Sequence, residues 1–228
     1  MTGWFVTGTD TEIGKTCVSA GLAHALSQRG WRVAALKPLA AGQVQDAQGV
    51  WFNDDVRHLH GAQSAGLSED EVGPFQWRTP CAPHIAARIE GRPIDRDAVL
   101  AAVRTAAARA DLSVVEGVGG FRVPLVEGWD TADLARDLGL PVVLVVGLRL
   151  GCINHASLTA EAVRARGLPL AGWVANTLAE PLPHLDDNLS ALQAVLGAPC
   201  WGHVPRLHPP TAAAVAAHLN PDAVPARF

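Results

Sequence analysis

With 228 residues, 49% hydrophobic and 18% charged, the chain is long enough for one core-forming domain and too apolar to be disordered. A net charge of −4 offers no basic field to a nucleic-acid backbone, and the longest apolar run, Pro141 to Leu148, is too short to span a bilayer. Cys17, Cys81, Cys152 and Cys200 are too scattered for a paired metal-ligand spacing, and no secretory signal is visible at the start, so reduced thiols and a cytoplasmic address are expected.

An apolar strand around Trp4-Phe5-Val6 runs into Gly8-Thr9-Asp10-Thr11-Glu12-Ile13-Gly14-Lys15-Thr16, and a helix is expected from Gly14 to Arg29. Strand, glycine-bounded loop and helix in this order form a phosphate-binding loop: amides at the helix start can wrap phosphate oxygens, Lys15 can reach the β- and γ-phosphates, and the Thr16 hydroxyl can ligate Mg²⁺. Thr9 stands where the usual pattern has its first glycine, so the loop from Gly8 is one residue longer than usual. It also carries Asp10 and Glu12 beside the expected triphosphate, which calls for a cationic substrate or a metal shell facing them.

Trp31 to Leu36 reads as a buried strand ending at Lys37-Pro38, followed by a long loop from Leu39 to Thr79 with a short helix around Asp55 to His60. Helices are expected at Pro83 to Glu90 and Asp95 to Arg109, then a strand at Leu112 to Val115 ending in Glu116-Gly117-Val118-Gly119-Gly120. Beyond it come helix Thr131 to Leu138, strand Pro141 to Val146, helix Asn154 to Arg166, strand Leu170 to Ala175, helix His184 to Leu196, a short strand at Cys200 to Val204 and an Ala-rich tail. Continuously apolar strands between amphipathic helices predict a doubly wound α/β fold of the P-loop NTPase type: a parallel sheet with helices on both faces, in a single domain over 1–228. Ligands in such folds bind beyond the carboxyl ends of the strands.

Chemistry-bearing residues fall at those ends. Lys37 would add a cation near the γ-phosphate, and Asp55 and Glu116 would join Thr16 around Mg²⁺. Singly, Lys37 reads as a surface lysine, Glu116 as a turn acid and Asp55 as a helix cap, and Asp54 is an alternative ligand; together at one edge, the functional reading prevails. Gly151-Cys152-Ile153-Asn154 opens a helix whose amino end would suit a carboxylate, or is simply a turn capped by Asn154. Cys152 has no assigned base and reads as an inert thiol, and His84 and His155 read as packing or capping residues. The Asn176 amide could read a nucleobase edge.

These segments, with Lys37-Pro38, Pro83-His84, Glu116 to Gly120, Gly151 to His155 and Gly172 to Asn176, resemble dethiobiotin synthase in order up to about Pro205. The resemblance implies an ATP-dependent ligase of biotin biosynthesis joining CO₂ (or bicarbonate) to 7,8-diaminononanoate, with Mg²⁺ as cofactor, in a homodimer. It implies that Lys37, Lys15 and Thr11 are catalytic. Nucleotide contacts would come from Glu12, Ile13, Gly14, Lys15, Thr16, Cys17, Glu116, Gly117, Val118, Gly119, Asn176, Thr177, Val204, Pro205 and Arg206. Thr16, Asp55 and Glu116 would hold the metal. Thr11, Lys37, Ala41, Gly151, Cys152 and Asn154 would bind the diamine, the last three from the neighbouring subunit. The chain departs from the family at Ala41, where a hydroxyl residue is frequent, and after Pro205, where Arg206-Leu207-His208 lacks an expected acid near the ribose. A partitioning-type ATPase would share the fold but carry lysine where Asp10 stands. An amidotransferase would need a glutaminase region for which little chain remains, and a plain nucleotide-binding module would lack substrate-dependent turnover.

Overall fold

Continuously apolar strands need cover on both faces, and six parallel strands of four to eight residues form such a sheet here. The computed structural model describes residues 1–178 and 182–220, so the part of the expected single domain at 179–181 and 221–228 lies outside the described residues. Elements follow as β1 (Gly3–Gly8), α1 (Lys15–Gln28), β2 (Val33–Leu36), β3 (Leu39–Ala41), β4 (Val44–Gln45), β5 (Trp51–Phe52) and α2 (Asp54–Ala62). Next come α3 (Glu69–Val72), β6 (Phe75–Trp77), α4 (Pro83–Ile89), α5 (Arg96–Ala107), β7 (Leu112–Glu116), β8 (Pro124–Val126), β9 (Trp129–Asp130) and α6 (Thr131–Leu138). The rest are β10 (Val142–Leu148), α7 (Cys152–Ala165), β11 (Leu170–Thr177), α8 (Leu185–Leu196), β12 (Cys200–Val204) and α9 (Ala212–Ala216).

The main sheet is parallel throughout, in the order β12-β11-β10-β1-β7-β2, so β1 lies inside it with β10 on one edge and β7 on the other. Strand β10 shows why both faces need cover. Val143 and Val145 point into the larger core with α1 residues Val18, Leu22 and Leu26, while Leu144, Val146 and Leu148 join a second core with Ala156 and Ala160 of α7 and Leu192 of α8. The α/β fold with its parallel sheet is therefore as the apolar runs predict.

Three local expectations are corrected. The stretch 39–79 is not mainly loop: β3 pairs with β6 in parallel (Leu39↔Phe75), β4 pairs with β5, and α2 and α3 lie between β5 and β6. Strands of two or three residues are too short to leave a periodic trace in sequence. Helix α2 is capped by Asn53, whose side chain accepts from the Val56 amide, rather than by Asp55. The Ala-rich tail contains α9, which lies on α1 where Gly21 admits it; a β-carbon there would stand 2.5 Å from Val215.

Candidate active site

The sheet edge above β1, β2 and β7 gathers the phosphate loop, Lys37 and Glu116, because parallel strands end together. Thr9 donates its amide to the Val145 carbonyl (3.1 Å), which pins the loop to β10. Glu12 adopts φ 57° and Gly14 φ 87°, so the loop holds a left-handed backbone that an L side chain resists. At Gly14 the reason for glycine is also steric: a β-carbon would sit 2.1 Å from Asn176 Nδ2. That amide donates to the Ile13 carbonyl (2.9 Å), so Asn176 braces the loop from β11.

Lys15 is buried and donates from Nζ to the Asp10 carbonyl (2.8 Å). Burial, and then the charge of Lys37, push its pKa down to about 8 against the pull of Glu116, Asp55 and Asp10. The carboxylate of Asp10 accepts from the Thr11 amide (2.8 Å) and pairs with Arg149 (2.6 Å). The cation facing Asp10 is therefore a side chain of the same chain, not the substrate or metal shell expected from sequence. Sequence reasoning missed Arg149; its one signal was a place just after an apolar strand.

Lys37 Nζ, at the end of β2, lies 3.0 Å from Asp55 Oδ2 and 2.5 Å from Glu116 Oε1, and Thr16 Oγ1 donates to the same Glu116 oxygen at 2.8 Å. Burial works against the charge on Lys37, but Glu116 and Asp55 outweigh it and raise its pKa above the ordinary lysine value. Asp55 is likewise penalised by burial, yet Lys37 and the Thr16 hydroxyl hold its carboxyl below the usual range. Asp54 also lines the cleft over this cluster, but it is Asp55 whose carboxylate pairs with Lys37.

Magnesium fits the donor set. Glu116 Oε2 is buried with no hydrogen-bond partner, and two carboxylates with a hydroxyl are the hard oxygens this ion takes alongside phosphate and water. Among the described residues, no group of three or more His, Cys, Asp or Glu could hold a metal by side chains alone.

A cleft of about 690 Å³ opens over this cluster, and Thr11, Glu12, Gly14, Lys15, Thr16, Cys17, Lys37, Ala41, Asp55, Glu116, Val118 and Gly119 line it. Sequence reasoning missed Gly42, Cys81, Ala82 and Val123, which also face it. Ile13 is buried, and Gly117 is pressed against Phe5, whose ring would be 2.9 Å from a β-carbon. Asn176, Thr177, Val204, Pro205 and Arg206 do not line the cleft but sit at the carboxyl ends of β11 and β12, where Asn176 and Val204 are register partners and Asn176 abuts the cleft residue Gly14. There Thr177 bonds His203 (2.9 Å) and Arg206 donates to His208 (3.0 Å).

Gly151, Cys152 and Asn154 are not brought to this cleft by their own chain. Gly151 is the N-cap of α7, with φ 92° and no side-chain cap, so Asn154 is an exposed first-turn residue and not the cap expected. Cys152 is only 1% exposed and its side chain packs in the second core. Its amide donates to the Arg149 carbonyl (3.0 Å).

A phosphate loop at the carboxyl end of an inner strand of a parallel sheet, with a lysine and two carboxylates beside it, defines a P-loop nucleotide-binding α/β protein. Solved structures share the fold: a ParA family ATPase from Chlorobium tepidum TLS (TM-score 0.56, 14% identity, 96% of this chain and 91% of that one). The septum site-determining protein MinD complexed with Mg-ADP from Pyrococcus horikoshii OT3 is another (TM-score 0.53, 17% identity, 98% and 87%). A family model described as an AAA domain matches residues 2–214. The ATP-dependent dethiobiotin synthetase BioD of Janthinobacterium sp. (strain Marseille) is 51% identical over 97% of this chain and 95% of its own length. Its counterpart in Aromatoleum aromaticum is 51% identical over 95% and 96%. The chain belongs to the ATP-dependent dethiobiotin synthetase family, ligases of biotin biosynthesis.

Proposed function

We propose that this chain, acting as a single domain in a cytoplasmic homodimer, joins CO₂ to 7,8-diaminononanoate at the expense of ATP, giving dethiobiotin, ADP and phosphate. The observation that carries this reading is Lys37, buried at the strand edge between Asp55 and Glu116 and facing the same cleft as the phosphate loop. One substrate amine captures CO₂ as a carbamate, which is too poor an electrophile to close a ring. Transfer of the γ-phosphoryl group makes a mixed anhydride with a good leaving group, and the second amine attacks its carbonyl and expels phosphate.

Lys15 turns from the Asp10 carbonyl to the phosphates, and Lys37 meets the oxygens on which negative charge grows. Thr16, Asp55 and Glu116 would hold Mg²⁺, which supplies charge neutralisation at the phosphoryl oxygens. Thr11 and Glu12 at the cleft mouth suit the cationic diamine; Ala41 lines the cleft without a hydroxyl to offer it. Asn176, Thr177 and the Val204 to Arg206 segment would flank the adenine, and the Gly151 to Asn154 helix start would receive the substrate carboxylate from the neighbouring subunit.

Phosphate release from Mg-ATP and bicarbonate, with and without 7,8-diaminononanoate, tests the reading when dethiobiotin is followed by mass spectrometry. Diamine-dependent release with matching dethiobiotin is expected. Hydrolysis indifferent to the diamine would reject the ligase in favour of a nucleotide switch of the kind the fold also hosts.

A further inference from the structure

β1 and β10 are neighbours with Gly8 opposite Val145, so the residue four places beyond Val145 emerges over the phosphate loop. That residue is Arg149, and its guanidinium pairs with Asp10 Oδ2 at 2.6 Å. Asp10 is also tied at two further points: Oδ1 accepts the Thr11 amide, and its carbonyl accepts Lys15 Nζ. The Arg149 carbonyl closes the turn into α7 by accepting the Cys152 amide. One arginine thus links the loop that carries Thr11 and Lys15 to the turn that opens α7.

The geometry points to Asp10 and Arg149 as a positioning pair that fixes the phosphate loop and cancels the Asp10 charge beside an incoming triphosphate. When Lys15 leaves the Asp10 carbonyl for the phosphates, the loop keeps its Arg149 anchor. Without Arg149, a carboxylate would stand uncompensated next to an anion, and Thr11 would lose the fixed neighbour that orients its amide. Both side chains are about half exposed, at 50% for Arg149 and 48% for Asp10, so the pair adds little to overall stability and its effect falls on the ligand.

The kinetic part of the test rests on the ligase reading; the binding part does not. Arg149→Gln, Asp10→Asn, the double variant and Arg149→Lys are compared by steady-state kinetics in Mg-ATP and by calorimetric binding of Mg-ADP, with a thermal melt for each. Arg149→Gln should raise the KM for ATP and the Kd for ADP about tenfold, the scale of one lost charge-assisted contact, with an unchanged melting temperature. Arg149→Lys should recover most of that loss. The double variant should bind nucleotide about threefold or more better than Arg149→Gln, because a neutral amide no longer repels phosphate. Wild-type KM and Kd in Arg149→Gln would overturn the proposal, as would a double variant whose losses are the product of the single ones. A wild-type protein without diamine-dependent phosphate release, in which Arg149→Gln still weakens ADP binding, would reject the ligase and uphold the pair.

Discussion

At the residue scale the site turns on two buried lysines whose surroundings drive them in opposite directions. Lys37 is kept charged by two carboxylates, so removing it leaves Glu116 buried and uncompensated. Lys37→Met should cost about 3 kcal/mol of stability in urea denaturation, and lower kcat about a hundredfold or more with ADP binding largely retained. Turnover near that of the wild type would remove Lys37 from the chemistry. Lys15 is instead pushed down to about 8 by burial and by Lys37, and phosphate arriving beside it should restore its proton. Binding of Mg-ADP at pH 8 should then take up about half a proton per site, falling towards none at pH 6.5, as read by calorimetry in buffers of different ionisation enthalpy. Equal uptake at both pH values, or uptake that persists in Lys15→Met, would refute this. Because the folded-state value lies below the ordinary 10.5, the unfolded chain holds more protons between the two, and the Lys15 contribution to stability improves as pH rises from about 8 to 10.5.

At the element scale, helix α6 holds the segment that follows the Glu116 to Gly120 turn. Thr131 donates its hydroxyl to the Phe121 carbonyl (2.6 Å) and accepts from the Val123 amide (3.0 Å). The helix start is itself fixed by a reciprocal cap between Asp130 and Asp133, to which Arg122 and Arg166 bind. Burial disfavours the Asp130 carboxylate, but the Asp133 amide and the two arginines outweigh it and hold its pKa below 3.8. Its stabilisation is therefore present above pH 3.8 and lost as pH falls through the depressed value. Asp130→Ala should destabilise by about 2–3 kcal/mol at neutral pH in urea denaturation, whereas Asp130→Asn keeps a cap and should lose less. A change within 0.5 kcal/mol for Asp130→Ala, the range of ordinary surface substitutions, would mean that the network contributes nothing.

At the scale of the whole molecule, Leu150 is 95% exposed and Leu158 57%, on the same turn and helix that would deliver Gly151 and Asn154 to a neighbouring subunit. Leu150→Asp should yield a monomer by light scattering and lose turnover with the fold intact; a monomeric, fully active variant would reject the shared site. The sequence alone determined the phosphate loop, the parallel α/β plan and the residues at the strand ends, since apolar runs and a glycine-bounded loop are local patterns. Lys37, Asp55 and Glu116 were legible as candidates for the same reason. Only the tertiary structure decided that Asp55 rather than Asp54 joins Lys37, that Arg149 faces Asp10 and that Asn176 braces Ile13. It also decided that the stretch 39–79 is built from short paired strands. Each of these joins residues 18 to 163 places apart, or strands too short for a period, and such pairings are settled by strand register and burial, which no window of sequence contains.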